Sequence, residues 1–329
     1  MSLIKYKIFI LSSERSGTNL LQKLLSNHKY LFGPKTPQLF NTMGSSIRHF
    51  GDLNQMDNQN RLISSLISIC NHSFSNWSLP PELEQKLVSR HKFIESICSL
   101  YEIKAKMESC NGFIAKELNM QNQVDQILEI YPDAKFIHLV RNPLEQAASW
   151  MKTPLFFSTP IQVTQEWKIV QNKVLELKSK YPDSIITLRY EDLVSNTREQ
   201  MKAVLTFCNL EEDTNCYANE IRREGDDGND LWKNVNISVF NNADKHTEEL
   251  SAIEIQSVKK LAQPIASELN YFNDTPNPSG WLLVLSKYKR IFISKRRREN
   301  IRGRQGTMLR VKFANDLKMD IQNEFNAKS

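Results

Sequence analysis

The 329-residue chain holds little glycine or proline, 10 and 12 residues respectively, which excludes collagen-like and low-complexity architectures. Cysteine is also sparse. Cys70, Cys98, Cys110, Cys208 and Cys216 are odd in number, and no two are spaced as C-x-x-C. A disulfide framework or a zinc site is therefore not expected, and free thiols in a reducing compartment are. No apolar run approaches the length of about 18 residues that crosses a bilayer. The opening MSLIKYKIFILSS has an apolar run too short for a secretory leader, so a cytoplasmic location is expected. No clustered acidic ligand set is present, and no metal is expected.

What remains is a chain with a core. Apolar residues make up 40% of it. The net charge of +6 is unevenly spread: from 276 to 329 basic residues outnumber acidic ones by nine, leaving 1–275 at three net negative. A near-neutral body of 1–275 and a basic C-terminal extension of 276–329 are the expected division. The stretch Thr275-Pro-Asn-Pro-Ser-Gly is the expected linker.

The pattern of the body is α/β. Ile4–Leu11 is a β-branched apolar run, as a doubly covered parallel strand should be. Asn19–Leu25 puts Leu20, Leu21, Leu24 and Leu25 on one helical face. Two later segments, Gln126–Pro143 and Glu176–Leu193, each read as a helix end, a Tyr-Pro-Asp breaker and a short buried strand. Such units in series imply a central parallel sheet flanked by helices. Pro143 suits the first turn of a helix continuing through Met151. Ser195 is the expected N-cap of a helix over Thr197–Phe207, and Glu248–Leu269 is read as one long amphipathic helix. Residues from about 40 to 110 have helical texture without strong strands. They form a helical insert, expected on the substrate side.

The chemistry begins in FILSSERSGTNLLQKLL, Phe9–Leu25. Strand passes to helix through Arg15, Ser16, Gly17, Thr18 and Asn19, where the free N–H groups of a helix start favour an anion. A well-capped turn without a ligand would look the same. A nucleotide-binding P-loop ends in Gly-Lys-Ser/Thr; here no lysine follows Gly17. The cation stands before the glycine, at Arg15, which suits a less highly charged anion than a triphosphate. In LVRNPLEQAASW, Arg141 ends a buried strand and Ser149 follows eight residues later. Ligands of parallel sheets gather at strand C-termini. A salt bridge to Glu145 or a solvated strand end is the plain alternative for Arg141.

With these residues in view, the sequence resembles the sulfotransferases that use 3′-phosphoadenosine 5′-phosphosulfate (PAPS). ERSGTNLL resembles their 5′-phosphosulfate loop, and FIHLVRNPLEQAAS their 3′-phosphate motif. LRYEDLVSNTREQMKAVLTFCNL resembles a third shared segment, and Trp232–Glu254 a looser fourth. The likeness is greatest to bacterial and tyrosylprotein-type members, whose loop carries Arg where cytosolic steroid and phenol enzymes carry Lys. It implies a P-loop-like sulfotransferase fold with the insert on the acceptor side. It also implies sulfuryl transfer from PAPS, without metal, to a hydroxyl or less readily an amine acceptor, on a glycan, glycolipid or small metabolite. Arg15 to Asn19 would then hold the phosphosulfate, Arg141 and Ser149 the 3′-phosphate, Tyr190 the adenine, and Lys245 (beside Asn241) a late cofactor contact. Lys116 matches a family lysine facing the transferred group. The base departs from the family: LFGPKTPQLF holds no carboxylate or histidine, and Leu118 stands where cytosolic relatives carry His. Glu117 is the nearest carboxylate and the chosen base, with His28 and His246 as alternatives. A P-loop-type nucleotide kinase and a non-catalytic PAPS-fold binding protein are the competing readings.

The basic tail, WLLVLSKYKRIFISKRRRENIRGR over Trp281–Arg304, places Trp281, Leu282, Leu285, Tyr288 and Phe292 near one helical stripe. Contact with an anionic membrane surface or an acidic glycan is expected of it, and nucleic acid is not.

Overall fold

The computed structural model describes residues 4–44, 46–72, 74–80, 82–83, 93–151, 158–217, 249–272 and 305–328. In chain order, strand β1 (Tyr6–Leu11) leads through a loop to helix α1 (Thr18–Ser26) and the two-residue strand β2 (Leu31–Phe32). Helices α2 (Leu39–Met43), α3 (Met56–Asn71) and α4 (Phe93–Met107) follow, then β3 (Gly112–Ala115) and α5 (Val124–Ile130). Strand β4 (Lys135–Val140) enters α6 (Pro143–Met151), and α7 (Pro160–Lys180) leads to β5 (Ile185–Arg189). Short α8 (Tyr190–Ser195) and α9 (Thr197–Phe207) come next, then α10 (Ala252–Ala262), α11 (Ile265–Glu268) and α12 (Gln305–Lys328). The strands form one sheet in the order β2-β3-β1-β4-β5. The β1–β3 and β2–β3 pairs are parallel, with Tyr6 and Leu31 both opposite Gly112.

Contacts divide the chain into two units. The first joins Met1–Leu11, Gln22–Phe136 and Gln305–Ser329; the second joins Ser12–Leu21 and Ile137–Arg304. In the first, Phe9 meets Phe113 edge-on and stacks on Phe136, with ring centroids 5.5 and 5.2 Å apart. The C-terminal helix α12 belongs to this unit, where Phe313 stacks on His72 at 4.2 Å and Ile321 is buried. In the second, Trp150, Leu144, Val163 and Val258 form one cluster, and Val140, Trp167, Ala262 and Ile265 another.

Two sequence expectations are corrected. Ser195 does not cap α9: it ends α8, and Asn196 occupies the cap position without a side-chain bond. Glu248–Leu269 is not one helix. It is capped at Ser251, whose box with Glu254 starts α10, and it breaks at Pro264, which has no N–H to continue the ladder. Within LFGPKTPQLF, Leu31 and Phe32 form β2, an edge strand too short to leave a periodic signal. All five thiols are free, four buried and Cys110 half-buried. Among the described residues no helix is long and apolar enough to cross a membrane.

Candidate functional site

The loop of Ser12–Gly17 and the two segments it meets lie wholly in the second unit. Its backbone is unusual. Arg15 has φ 65° and Gly17 φ 94°, both left-handed. A non-glycine residue there is strained by about 1–3 kcal/mol and needs surroundings that over-determine it. A Cβ on Gly17 would lie 2.3 Å from Cδ2 of Tyr190, so the ring of Tyr190 closes directly on the glycine backbone. The carbonyl of Gly17 accepts from the amides of Leu20 and Leu21, which starts α1. The N–H groups of Thr18 and Asn19 therefore have no acceptor within the helix.

The strain at Arg15 is held from β4 and α6. Arg141 Nη1 donates to the Arg15 carbonyl at 3.1 Å, and Arg15 Nε donates to Ser149 Oγ at 3.3 Å. Gln146 donates to the Glu14 carbonyl, and to Ser13 Oγ at 2.9 Å. Arg141 itself lies over the Tyr190 ring, 4.7 Å from its centroid. Its own carbonyl accepts from Trp167 Nε1 at 3.0 Å. The next residue, Asn142, caps α6 through Oδ1 to the Leu144 amide at 2.9 Å. The Asn142 amide donates to Glu191, whose other oxygen takes the Tyr271 hydroxyl at 3.0 Å.

Neither Arg15 nor Arg141 forms an ion pair among the described residues, and Nε of Arg141 is buried there without a partner. The salt bridge of Arg141 to Glu145 is thus not formed. Burial first, and then the like charge of Arg141, lower the pKa of Arg15 from its ordinary value, with the Glu14 charge opposing. Burial likewise raises the Tyr190 phenol. Two neighbouring guanidinium groups, an unspent buried N–H and a glycine that admits close approach fit an anion with several acceptor oxygens.

The family model for sulfotransferases matches residues 7–214. The chain belongs to the sulfotransferase family. Its fold is that of the sulfotransferase domain from the curacin biosynthetic pathway, with a TM-score of 0.54 at 21% identity, over 83% of this chain and 100% of that one. The sulfotransferase domain of the Synechococcus PCC 7002 olefin synthase is 20% identical over 88% of this chain and 95% of its own, with a TM-score of 0.46. A curated relative from Aquifex aeolicus (strain VF5), described as an uncharacterized protein, is 23% identical over 221 residues. That stretch is 63% of this chain, which spans 26% of that relative's length. The expected class, an α/β sheet of P-loop-like sulfotransferase type, therefore holds.

For this sulfotransferase-family chain, the structure gathers Arg15, Ser16, Gly17, Arg141, Ser149 and Tyr190 into one place, with Thr18 and Asn19 opening α1. Lys116 and Glu117 belong to the first unit, just beyond the end of β3. Lys116 is half-buried. Glu117 is buried, and its Oε1 accepts from the Tyr101 hydroxyl at 2.8 Å. Burial and then the Glu117 charge push the Tyr101 phenol well up. His28 is buried at the end of α1 with Nδ1 accepting from the Tyr30 amide at 3.2 Å, a structural placement. Lys245, Asn241 and His246 lie outside the described residues, as does Trp281–Arg304. Sequence reasoning missed Ser13, Gln146, Gln171, Glu191 and Tyr271. Ser13, Gln146 and Glu191 lie within Phe9–Leu25, Leu139–Trp150 and Leu188–Leu210, so adjacency to the motif residues was the available signal.

Proposed function

We propose that this chain transfers the sulfuryl group of PAPS to a hydroxyl acceptor on a glycan, glycolipid or small metabolite, and less readily to an amine. The observation carrying this reading is the convergence of Arg15 and Arg141 without an ion pair to either among the described residues, beside a left-handed Gly17 on which the Tyr190 ring closes. In this reading Arg15, Ser16, Gly17, Thr18 and Asn19 bind the 5′-phosphosulfate, while Arg141 and Ser149 bind the 3′-phosphate. Tyr190 supports the adenine side, and Lys245 adds a late contact. Charge-assisted hydrogen bonds of this kind contribute about 1.5–3 kcal/mol each.

Sulfuryl transfer is an in-line displacement: the acceptor oxygen bonds to sulfur, the sulfur–oxygen bond to the phosphate breaks, and the acceptor proton passes to a base. Catalysis of this kind is mostly positioning and charge stabilisation. Arg15 then stabilises the departing phosphate oxygen, Lys116 the charge on the sulfuryl group, and Glu117 accepts the proton. Glu117→Gln should abolish turnover while leaving nucleotide binding intact; full turnover in that variant would remove Glu117 from the role. The basic tail supports a peripheral contact with anionic lipid or an acidic glycan, by charge alone.

Two measurements test the reading. Calorimetry with adenosine 3′,5′-bisphosphate asks whether the nucleotide binds. Transfer of labelled sulfate from PAPS to mixed acceptors, measured without added metal, asks for the reaction. A folded sample that ignores the bisphosphate overturns the assignment.

A further inference from the structure

Behind the anion loop lies a buried polar chain that the function above does not use. His138 is fully buried in β4. Its Nε2 is 2.6 Å from Gln171 Oε1, and its Nδ1 is 3.3 Å from Thr187 Oγ1. Lys178 Nζ donates to Thr187 Oγ1 at 3.0 Å. At the other end, Gln171 Nε2 donates to Ser13 Oγ at 3.2 Å, and Gln146 Nε2 to the same oxygen at 2.9 Å. Ser13 Oγ lies 3.1 Å from Ser16 Oγ.

The donors and acceptors run in a single direction. An amide oxygen only accepts, so the bond to Gln171 requires the His138 proton on Nε2. Nδ1 is then an acceptor and takes the Thr187 proton, while an ammonium, which only donates, fills a lone pair of Thr187. On the far side two amide N–H groups fill both lone pairs of Ser13, so its own proton goes to Ser16. This pattern has His138 neutral; a charged ring would make Nδ1 a second donor toward Thr187, whose own proton would then need another acceptor. Its pKa is lowered to about 4, by burial first, with the Gln171 bond opposing and the Lys178 charge adding to the fall.

We propose that His138, Gln171 and Thr187 are positioning residues for donor binding, a one-way hydrogen-bond relay that fixes Ser13 and Ser16 and so holds the strained loop in its anion-binding shape. This rests on the reading of the loop as the phosphosulfate site. The physical reason is that left-handed Arg15 persists only where its surroundings over-determine it. Ser13 ties the loop to α6 through Gln146 and to α7 through Gln171, so two helices fix one hydroxyl, although Gln146 Oε1 is buried without a partner among the described residues.

Three readouts test the relay. Long-range nitrogen-15 spectra of the His138 ring should show the proton on Nε2; a proton on Nδ1 reverses the relay and overturns the proposal. In Gln171→Leu, the Leu20 and Leu21 amides, which donate to the Gly17 carbonyl, should exchange hydrogen several-fold faster, with global stability measured alongside; unchanged exchange in the folded variant overturns it. Affinity for adenosine 3′,5′-bisphosphate should fall about 3–10-fold, the equivalent of one ordinary hydrogen bond. Should Gln171→Leu fail to fold, Thr187→Val removes the hydroxyl at near-constant shape, and Thr187→Ser restores it. Affinity should fall in the first and return in the second; equal affinity in both overturns the proposal. If the wild-type chain does not bind the bisphosphate, the donor reading fails, while the tautomer and exchange results still decide the relay.

Discussion

At the scale of single residues the loop is defined by what Gly17 leaves out. Any side chain there meets the Tyr190 ring at 2.3 Å and a left-handed backbone as well. The ring cannot move freely, because it lies under Arg141. Gly17→Ala should therefore cost about 1–3 kcal/mol of stability from backbone strain, plus the clash, and lose bisphosphate binding at least tenfold by calorimetry (about 1.4 kcal/mol). Tyr190→Ala in the same chain should recover the clash but not the strain, so the double variant should be more stable than Gly17→Ala by less than the full loss. Arg141 is a different kind of necessity. Its fork reaches the Arg15 carbonyl with Nη1 and keeps a buried Nε without a partner. A lysine keeps the charge but has neither the plane nor the second donor direction. Arg141→Lys should bind the bisphosphate about 10–100-fold more weakly, the range of one charged hydrogen bond, with little change in urea midpoint. Equal affinity would show that charge alone suffices.

At the scale of elements, α7 backs the loop that Arg141 and α6 hold directly. Its Trp167 holds the Arg141 carbonyl, and its Gln171 holds Ser13. The helix starts with a capping box in which the Thr159 side chain accepts from the Gln162 amide and Gln162 returns a bond to the Thr159 amide, with Pro160 at the first position. Thr159→Ala should destabilise the fold by about 0.5–2 kcal/mol in urea denaturation. It should leave bisphosphate affinity nearly unchanged, since the cap lies three turns from Gln171. The parts of the fold that were legible in the sequence are those with local causes. Strands β1, β4 and β5 announce themselves as short apolar runs, two of them after a Tyr-Pro-Asp breaker, and α6 begins at its proline. Strand β2 was not legible, because two residues carry no period. The break at Pro264 was legible in principle, but amphipathic spacing on both sides of it read through. In the site, Arg15, Gly17, Arg141 and Ser149 were legible as motifs. Their supports were not: Gln146 and Gln171 reach Ser13 across 133 and 158 positions, and a glutamine on a helix carries no mark of which loop it serves.

At the scale of the whole molecule, the relay ties acid stability to one buried histidine. Unfolded, a histidine takes up its proton at about pH 6.5; folded, His138 does so only at about 4. Between those values the unfolded chain binds more protons than the folded one. Stability contributed by the neutral ring is therefore present above about pH 6.5 and is lost as pH falls toward 4, by up to about 3 kcal/mol in all. Its cause is burial first, opposed by the Gln171 bond, and Lys178 at the far side of Thr187 adds to it; among the described residues no carboxylate offsets the penalty of charging the ring. Carboxylates elsewhere also titrate as pH falls, which is why the wild-type curve alone does not isolate this group. The difference between wild type and His138→Gln does. Glutamine keeps a donor and an acceptor but has no proton to gain, so the unfolding free energy of the variant should fall less steeply between pH 6.5 and 4, even if its stability at pH 7 is lower. Urea melts of both chains at half-unit intervals measure this. Parallel curves would mean that His138 takes up its proton in the folded state as readily as in the unfolded one. The fold would then impose no preference for the neutral ring, contrary to the direction of the relay.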